Sequence, residues 1–302
     1  MNAHWATIYP YFFRRLEEPD YRRHRLELPD GDFLDLDARG AASRQGALLI
    51  HGLEGSASSK YVLGMGQALQ RAGYHVTALN LRGCSGVPNR LPISYHSGKT
   101  DDLQAVVLHL LTRYAYDSLA LVGFSLGGNL LLKYMGEGQV PERVRAAAAI
   151  SVPCDLANAV QAIRKSPWYL YWLLQKLKTK ALQRLQELPQ GSLPFTAEQI
   201  KQAKDFEGFD DLYTAPVHGF ASAQDYYARC SSGAFLSSIT RPALLINALD
   251  DPFLGQNCYP EVLNPAVTTL YPPHGGHVGF ADDWRLRAPF WHERQVLSFF
   301  AS

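Results

Sequence analysis

Short apolar runs recur along the chain, each bounded by glycine, asparagine or serine. Six of them have the length of a buried β-strand, at residues 47–50, 75–79, 119–124, 146–152, 243–247 and 267–271. Helical patterns alternate with them at about 60–71, 101–114 and 129–135, and a further one closes the chain at 289–300. Such an alternation predicts an α/β protein, in which a twisted, mostly parallel sheet carries helices on both faces.

Two segments depart from this alternation. Residues 21–28 and 32–37 flank a Pro-Asp-Gly turn, which predicts an antiparallel hairpin at the edge of the sheet. Residues 155–234 contain no strand-like run. We therefore expect a single domain spanning 1–302 with a helical cap inserted after the run at 146–152, which is the sixth strand when the two hairpin strands are counted. We expect the aromatic run at 168–174 to pack this cap onto the body; an acyl-binding wall or a membrane-surface contact is the alternative.

Composition excludes several classes of function. The 302 residues, 47% of them hydrophobic, can bury one large core, and 29 Lys and Arg nearly balance 28 Asp and Glu. The net charge of the whole chain therefore attracts neither nucleic acid nor an anionic membrane. No apolar stretch reaches the ~18 residues of a spanning helix, and the first residues lack the basic and apolar regions of a secretory signal, so we predict a cytoplasmic protein. The four scattered cysteines predict free thiols, with neither disulfides nor a zinc site.

The strongest chemical signal is Gly-Phe-Ser-Leu-Gly at 123–127, which links a predicted strand to a predicted helix. This is the required context of a nucleophilic serine, here Ser125, held on a tight turn at a helix N-terminus. The turn is so sharp that side chains at Gly123 and Gly127 would collide. A dinucleotide-binding loop is excluded, because serine occupies the position of its second glycine.

Acyl transfer also needs two backbone donors directed at the developing oxyanion. Leu126, which follows the nucleophile, is the first candidate. The third strand ends in His-Gly-Leu-Glu-Gly-Ser at 51–56, a loop that favours Leu53 as the second. His51 lies in a tight turn, where a structural hydrogen-bonding role is the better interpretation.

In a serine hydrolase of this class the acid and then the histidine follow the nucleophile along the chain. Asp250 and Asp251 follow the strand at 243–247, and either can orient an imidazole. Asp251 is preferred, because a residue that precedes proline is held extended and projects from its loop.

Three histidines compete for the role of base. His292 falls in the closing helix, where we expect a surface position. His274 and His277 form an H-x-x-H pair, but no ligand cluster supports a metal site. We favour His277, because the two glycines before it permit a sharp loop that brings its ring to the serine.

Seven segments resemble one family: Asn-Ala-His at 2–4 with Thr7, 51–56, 80–86, 95–98 with Asp101, 123–129, 250–253 and 274–280. They are similar, in order, to the YheT-like branch of the α/β-hydrolases, which is related to the eukaryotic ABHD1, ABHD2 and ABHD3 group. Ala3 and Ala6 depart from the expected proline and glutamine, and the cap is the least matched part.

The resemblance implies an α/β-hydrolase fold and a catalytic triad of Ser125, Asp251 and His277. It also implies esterase or acylglycerol-lipase chemistry on short- to medium-chain acyl esters, without a metal or an organic cofactor. The alternatives are a thioesterase or acyltransferase with the same triad, a non-catalytic binding module, and a peripheral membrane protein. Arg82 and His96, in two of the matched segments, are interpreted as supports of the site, and substrate contact is the alternative.

Overall fold

One eight-stranded sheet organises the molecule. The structure is a computed structural model and describes residues 2–17 and 19–302. The strand order across the sheet is β1-β2-β4-β3-β5-β6-β7-β8. The strands are β1 Arg22–Glu27, β2 Phe33–Arg39, β3 Gln45–Ile50, β4 His75–Asn80, β5 Ser118–Phe124, β6 Val144–Ile150, β7 Ala243–Ile246 and β8 Val267–Leu270.

The sheet is parallel except at one edge. Strand β1 pairs with β2, and β2 with β4, in antiparallel registers, whereas every pairing from β4 to β8 is parallel. The predicted edge hairpin and the predicted parallel sheet are therefore both confirmed. Because parallel strands end on the same side, the loops that follow β3, β5, β7 and β8 meet at one edge of the sheet.

Helices cover both faces of the sheet and fill the segment between β6 and β7. They are α1 Ala3–Phe13, α2 Lys60–Arg71, α3 Thr100–Arg113, α4 Leu126–Gly136, α5 Leu156–Arg164, α6 Pro167–Glu187, α7 Ala197–Gln202, α8 Phe206–Phe209, α9 Ala215–His218, α10 Ala223–Cys230 and α11 Trp291–Ala301. A π-helical turn, Asp210–Thr214, joins α8 to α9. The sequence pattern had not predicted α1. No helix in the described part of the chain is long and apolar enough to cross a membrane.

The core has two layers, one on each face of the sheet. Along β3, Leu48 and Ile50 pack with α3 and α4, whereas Ala47 and Leu49 pack with α2 and α11. This alternation follows from the two-residue period of a strand. All four side chains are at most 1% exposed, because helices cover the sheet on both sides.

The segment 155–234, hereafter the inserted segment, has a small core of its own. Leu174 and Ala181 of α6 pack there with Phe195, Ile200 and Tyr213. Each of these side chains is buried. The long helix α6 is therefore held in part by residues of the inserted segment itself. Another side of α6, which includes Tyr169, Leu173 and Lys180, lines a cavity at the carboxyl edge of the sheet.

Candidate active site

Ser125 lies on a strained turn between β5 and α4. Its backbone has φ +52°, a conformation that residues with a side chain rarely adopt. A Cβ on Gly123 would lie 2.4 Å from the carbonyl oxygen of Gly127, and a Cβ on Gly127 would lie 2.3 Å from that of His51. Only glycine fits at either position, which is the steric reason for the Gly-x-Ser-x-Gly pattern. The turn lifts Ser125 to the N-terminus of α4.

The structure brings Ser125, His277 and Asp251 together. His277 Nε2 lies 2.9 Å from Ser125 Oγ, and His277 Nδ1 lies 2.8 and 3.1 Å from the two carboxylate oxygens of Asp251. The Asp251 side chain is fully buried and that of His277 is 10% exposed. The Phe253 ring stacks on the imidazole at 4.2 Å, and the Phe253 N–H donates to Asp251 Oδ1. An acidic, a basic and a nucleophilic group thus form one hydrogen-bonded chain.

Asp250, the neighbouring carboxylate, has a different partner. Its Oδ1 accepts the backbone N–H groups of Gly275 and Gly276, each at 2.9 Å. Its Oδ2 lies 3.2 Å from Nδ1 of His274, whose side chain is 74% exposed. Asp250 therefore holds the loop that carries His277 without contacting the His277 ring, and His274 points to solvent.

Helix α1 supports the same loop from the other side. Thr7 Oγ1 accepts the His277 N–H at 2.9 Å while it donates to Ala3 O. Close packing accompanies this bond, because a Cβ on Gly276 would lie 2.7 Å from Ala3 O. Ser151 Oγ, after β6, accepts the Val278 N–H. Sequence reasoning missed the roles of Thr7 and Ser151, although Thr7 belongs to a matched family segment.

The two predicted oxyanion donors flank Ser125. Gly52 lies against the nucleophile, since a Cβ there would be 3.0 Å from Ser125 Cβ, and this places the loop of Leu53 beside it. Leu126 is the first residue of α4. Within residues 2–17 and 19–302, neither the Leu53 nor the Leu126 N–H donates to another protein group. Both residues line the cavity next to Ser125.

His51 is a structural residue, as the sequence had indicated. It is fully buried, its Nε2 accepts the Leu81 N–H, and its Nδ1 lies 2.7 Å from Gly52 O. Nδ1 must therefore carry the proton. Burial lowers the pKa of His51 to about 4, so the ring stays neutral and holds the loop at 51–56 in place.

A cluster of polar residues ties this loop to the inserted segment. Glu54, at φ +50°, donates its N–H to Tyr95 Oη, and Tyr95 Oη donates to Glu54 Oε1. Lys180 of α6 lies 3.1 Å from both Glu54 Oε1 and Cys84 Sγ. Burial alone would lower the pKa of Lys180, but Cys84 and Glu54 raise it, so the ammonium stays charged. No sequence signal had pointed to this contact.

Arg82 and His96 have different surroundings. Arg82 is buried and bonds both oxygens of Asp102 while also pairing with Asp30 and Asp32, so it supports the loops. His96 lines the cavity and packs against His218. Burial, and then the nearby His218, hold the pKa of His96 well below its usual value.

His292 corrects a sequence prediction. We had expected it at the surface of the closing helix, but it is fully buried among the rings of Phe124, Phe280 and Phe290. Neither ring nitrogen has a hydrogen-bond partner among the described residues. The adjacent Glu293 forms a buried ion pair with Arg14, which draws this face of α11 into the core.

A cavity of about 310 Å³ opens above Ser125 and His277. Its wall is mostly apolar and comes from α1, α5 and α6, whereas Lys180, His96, Asp210 and Thr214 supply polar atoms. Within the run 168–174, the predicted packing onto the body fits Tyr169, which is buried against His4 and Phe253. It does not fit Trp168, which is 55% exposed at the cavity rim, and Leu173 lines the cavity.

Comparison with known proteins identifies the family of the fold. Residues 48–283 match the family model described as the alpha/beta hydrolase fold. The chain is 38% identical to YheT of Escherichia coli, named as an esterase, over 98% of this chain and 89% of that protein. It is 30% identical to mouse phospholipase ABHD3, over 87% of this chain and 67% of that one. The solved Pyrococcus furiosus esterase Pf2001 covers 95% of each chain with a TM-score of 0.61 at 17% identity.

The sheet, the serine turn and the matches define the class: the chain belongs to the α/β-hydrolase family. The expected fold is thereby confirmed. Within the family, its relatives confirm the expected YheT and ABHD3 branch.

Proposed function

We propose that this α/β hydrolase cleaves carboxylic esters through an acyl-enzyme formed on Ser125. The observation that carries the proposal is the hydrogen-bonded chain from Ser125 Oγ through His277 to Asp251 at the floor of an apolar cavity. Its esterase and phospholipase relatives support the same class of chemistry.

The mechanism follows from the hydrogen bonds. His277 donates Nδ1–H to the buried Asp251 carboxylate, so Nε2 is free to accept the Ser125 proton as the oxygen attacks the ester carbonyl. The Leu53 and Leu126 N–H groups, neither of which has a protein partner in the described ranges, receive the oxyanion. His277 then protonates the leaving alcohol. Water, activated by the same imidazole, releases the acid and restores Ser125.

The cavity supports a short- to medium-chain acyl group. About 310 Å³ lies at the lower end of the ~300–1,000 Å³ common for small-molecule sites. Apolar side chains of Ile8, Val160, Ile163 and Leu173 line it, and the inserted segment acts as a cap over Ser125. We place the acyl chain along this wall and the leaving alcohol nearer the polar groups.

The decisive experiment compares wild type with Ser125→Ala on p-nitrophenyl esters of increasing acyl length, with fluorophosphonate labelling in parallel. We expect turnover to fall on the order of 10⁴-fold or more and labelling to disappear, with an unchanged melting temperature. Near-wild-type turnover in the variant would exclude the mechanism.

Thioesters and acyl transfer to alcohols use the same machinery, so they are tested in the same series. Matched oxygen and sulfur esters, with and without an added alcohol, compare the three reactions by kcat/KM. Absence of both turnover and serine labelling in a folded sample would instead favour a binding module.

A further inference from the structure

An aromatic surface surrounds the opening of the cavity. Five of its members are 45–60% exposed: Trp5, Tyr11, Phe12 and Phe13 of α1, and Trp168 of α6. Large aromatic side chains exposed as a group, in contrast to isolated ones, mark an interaction site.

The exposed rings form one continuous set. Contacts with centroid distances of 5.0–6.5 Å link Trp5 to Tyr9, Tyr9 to Phe13, Phe13 to Phe12 and Phe12 to Tyr11. Tyr11 then contacts Trp172, which stacks on Trp168. The surface thus runs along α1 and crosses to the start of α6. We call it the aromatic rim.

The aromatic rim is continuous with the cavity. Tyr11, Phe12 and Trp168 are at least 45% exposed and also line the cavity that reaches Ser125. A molecule held against the rim therefore faces the entrance to the nucleophile.

Exposed or half-buried cations outnumber anions beside the rim. Residues 3–16 and 165–180 contain six Lys and Arg. Three of them have other partners, since Arg14 pairs with Glu293, Lys178 donates to Lys201 O and Lys180 pairs with Glu54. The remaining three are Arg15, Lys165 and Lys176, and the exposed Glu17 follows Arg15 after one residue. Lys176 Nζ lies 3.9 Å from the centroid of the Trp172 ring, and Lys60 Nζ donates to Phe12 O. Exposed Arg15 and Lys165 flank the two helices.

We propose that the aromatic rim docks onto a lipid bilayer that contains anionic phospholipids. Tryptophan and tyrosine favour the depth of the lipid headgroups, where an apolar ring and a polar edge are both satisfied. Lysine and arginine beside them attract anionic headgroups. A soluble protein partner would not require the rim to combine an excess of cations with an opening into an apolar cavity. Docking places the cavity entrance against the bilayer.

The test measures flotation with vesicles of phosphatidylcholine alone and of phosphatidylcholine mixed with phosphatidylglycerol. We expect wild type to bind the mixed vesicles more strongly and to be partly released by salt. The rim variant Trp5→Ser, Phe13→Ser, Tyr171→Ser removes two rim members and Tyr171, which is 66% exposed on α6 between Trp168 and Trp172. None of the three lines the cavity, and we expect at least ~10-fold weaker binding. Its hydrolysis of a soluble ester should be unchanged.

The matched control replaces three exposed apolar residues outside the rim: Val87→Ser, Leu108→Ser and Leu263→Ser. If this control variant binds the mixed vesicles as strongly as wild type does, the proposal is supported. An equal loss of vesicle binding in the rim variant and the control variant overturns the proposal. Failure of the wild-type protein to float with the vesicles also overturns it. The same holds if the only change in the rim variant is the loss of a dimer in sedimentation.

Brominated lipids provide a second measurement that does not depend on the triple variant. We expect them to quench tryptophan fluorescence in wild type and to quench less in Trp5→Phe, which retains an aromatic ring. If brominated lipids do not quench the tryptophan fluorescence of the wild-type protein, the docking proposal is wrong. These experiments measure adsorption, so their failure would leave the ester-hydrolase proposal standing.

Discussion

The two adjacent aspartates permit a matched test of the proposed charge relay. Asp251 Oδ1 accepts the Phe253 N–H, while Oδ2 lies 2.8 Å from His277 Nδ1. In Asp251→Asn, the amide oxygen stays with the Phe253 N–H, so the NH₂ group faces the imidazole. His277 Nδ1 must then accept a hydrogen bond from this NH₂ group, so the ring proton moves to Nε2. The imidazole can no longer take the Ser125 proton.

The magnitude follows from this change of tautomer. An amide at this position of a Ser-His-Asp triad lowers turnover about 10⁴-fold, equivalent to ~5.5 kcal/mol in the activation barrier. The packing is nearly unchanged, so we expect the loss in kcat with an intact fold.

Asp250→Asn is the control. Its Oδ1 still accepts from Gly275 and Gly276, and only the exposed contact with His274 is altered. We expect kcat within a few-fold of wild type, because exposed ion pairs contribute ~0–1 kcal/mol. Initial rates on a p-nitrophenyl ester, with thermal melting of each variant, measure both effects. A large loss in Asp250→Asn together with an active Asp251→Asn would refute the assignment.

Three further changes test the surroundings of the site. Tyr95→Phe removes the hydroxyl that holds the loop at 51–56, which carries the proposed oxyanion donor Leu53, so we expect kcat to fall roughly tenfold with little change in KM; an unaltered kcat would contradict this role. Gly127→Ala places a Cβ 2.3 Å from a backbone oxygen and should cost at least ~3 kcal/mol of unfolding free energy, whereas Gly208→Ala, with its nearest neighbour at 3.4 Å, should cost little. Burial lowers the pKa of His292 from 6.5 to about 4, so the unfolded chain binds a proton in this window while the native state does not, and stability falls as the pH drops from 6.5 towards 4. We expect His292→Leu to lack this loss, gaining about 2 kcal/mol over wild type between pH 7.5 and 5 in urea unfolding; a difference independent of pH would refute it.

The sequence predicted the parts of the molecule that depend on local pattern. Apolar runs located the strands, because a buried parallel strand needs apolar residues on both faces. The glycines at 123 and 127 identified the serine turn, since a Cβ at either position meets a backbone oxygen. His277 and Asp251 were selected by loop arguments, and the structure places His277 beside Ser125 and Asp251 beside His277.

What the sequence did not predict depends on contacts between distant segments. Lys180 meets Glu54 across 126 positions, and no local pattern marks either residue. His292 precedes Glu293 and Arg294, charged neighbours typical of a surface helix, yet the buried pair of Arg14 and Glu293 draws it inward. A buried ion pair between residues so far apart in sequence cannot be predicted from the local pattern, because it depends on how the fold brings the two partners together.

Helix α1 shows how one unpredicted element connects the two proposals. Thr7 of this helix accepts the His277 N–H, and the Nδ1 of the exposed His4 lies 3.2 Å from Tyr169 Oη on α6. The Tyr169 ring packs on Phe253, which in turn stacks on His277. The outer face of α1 carries most of the aromatic rim. A bilayer that holds this outer face therefore restrains the same helix that fixes the position of the proposed catalytic base, so docking and catalysis act through shared contacts.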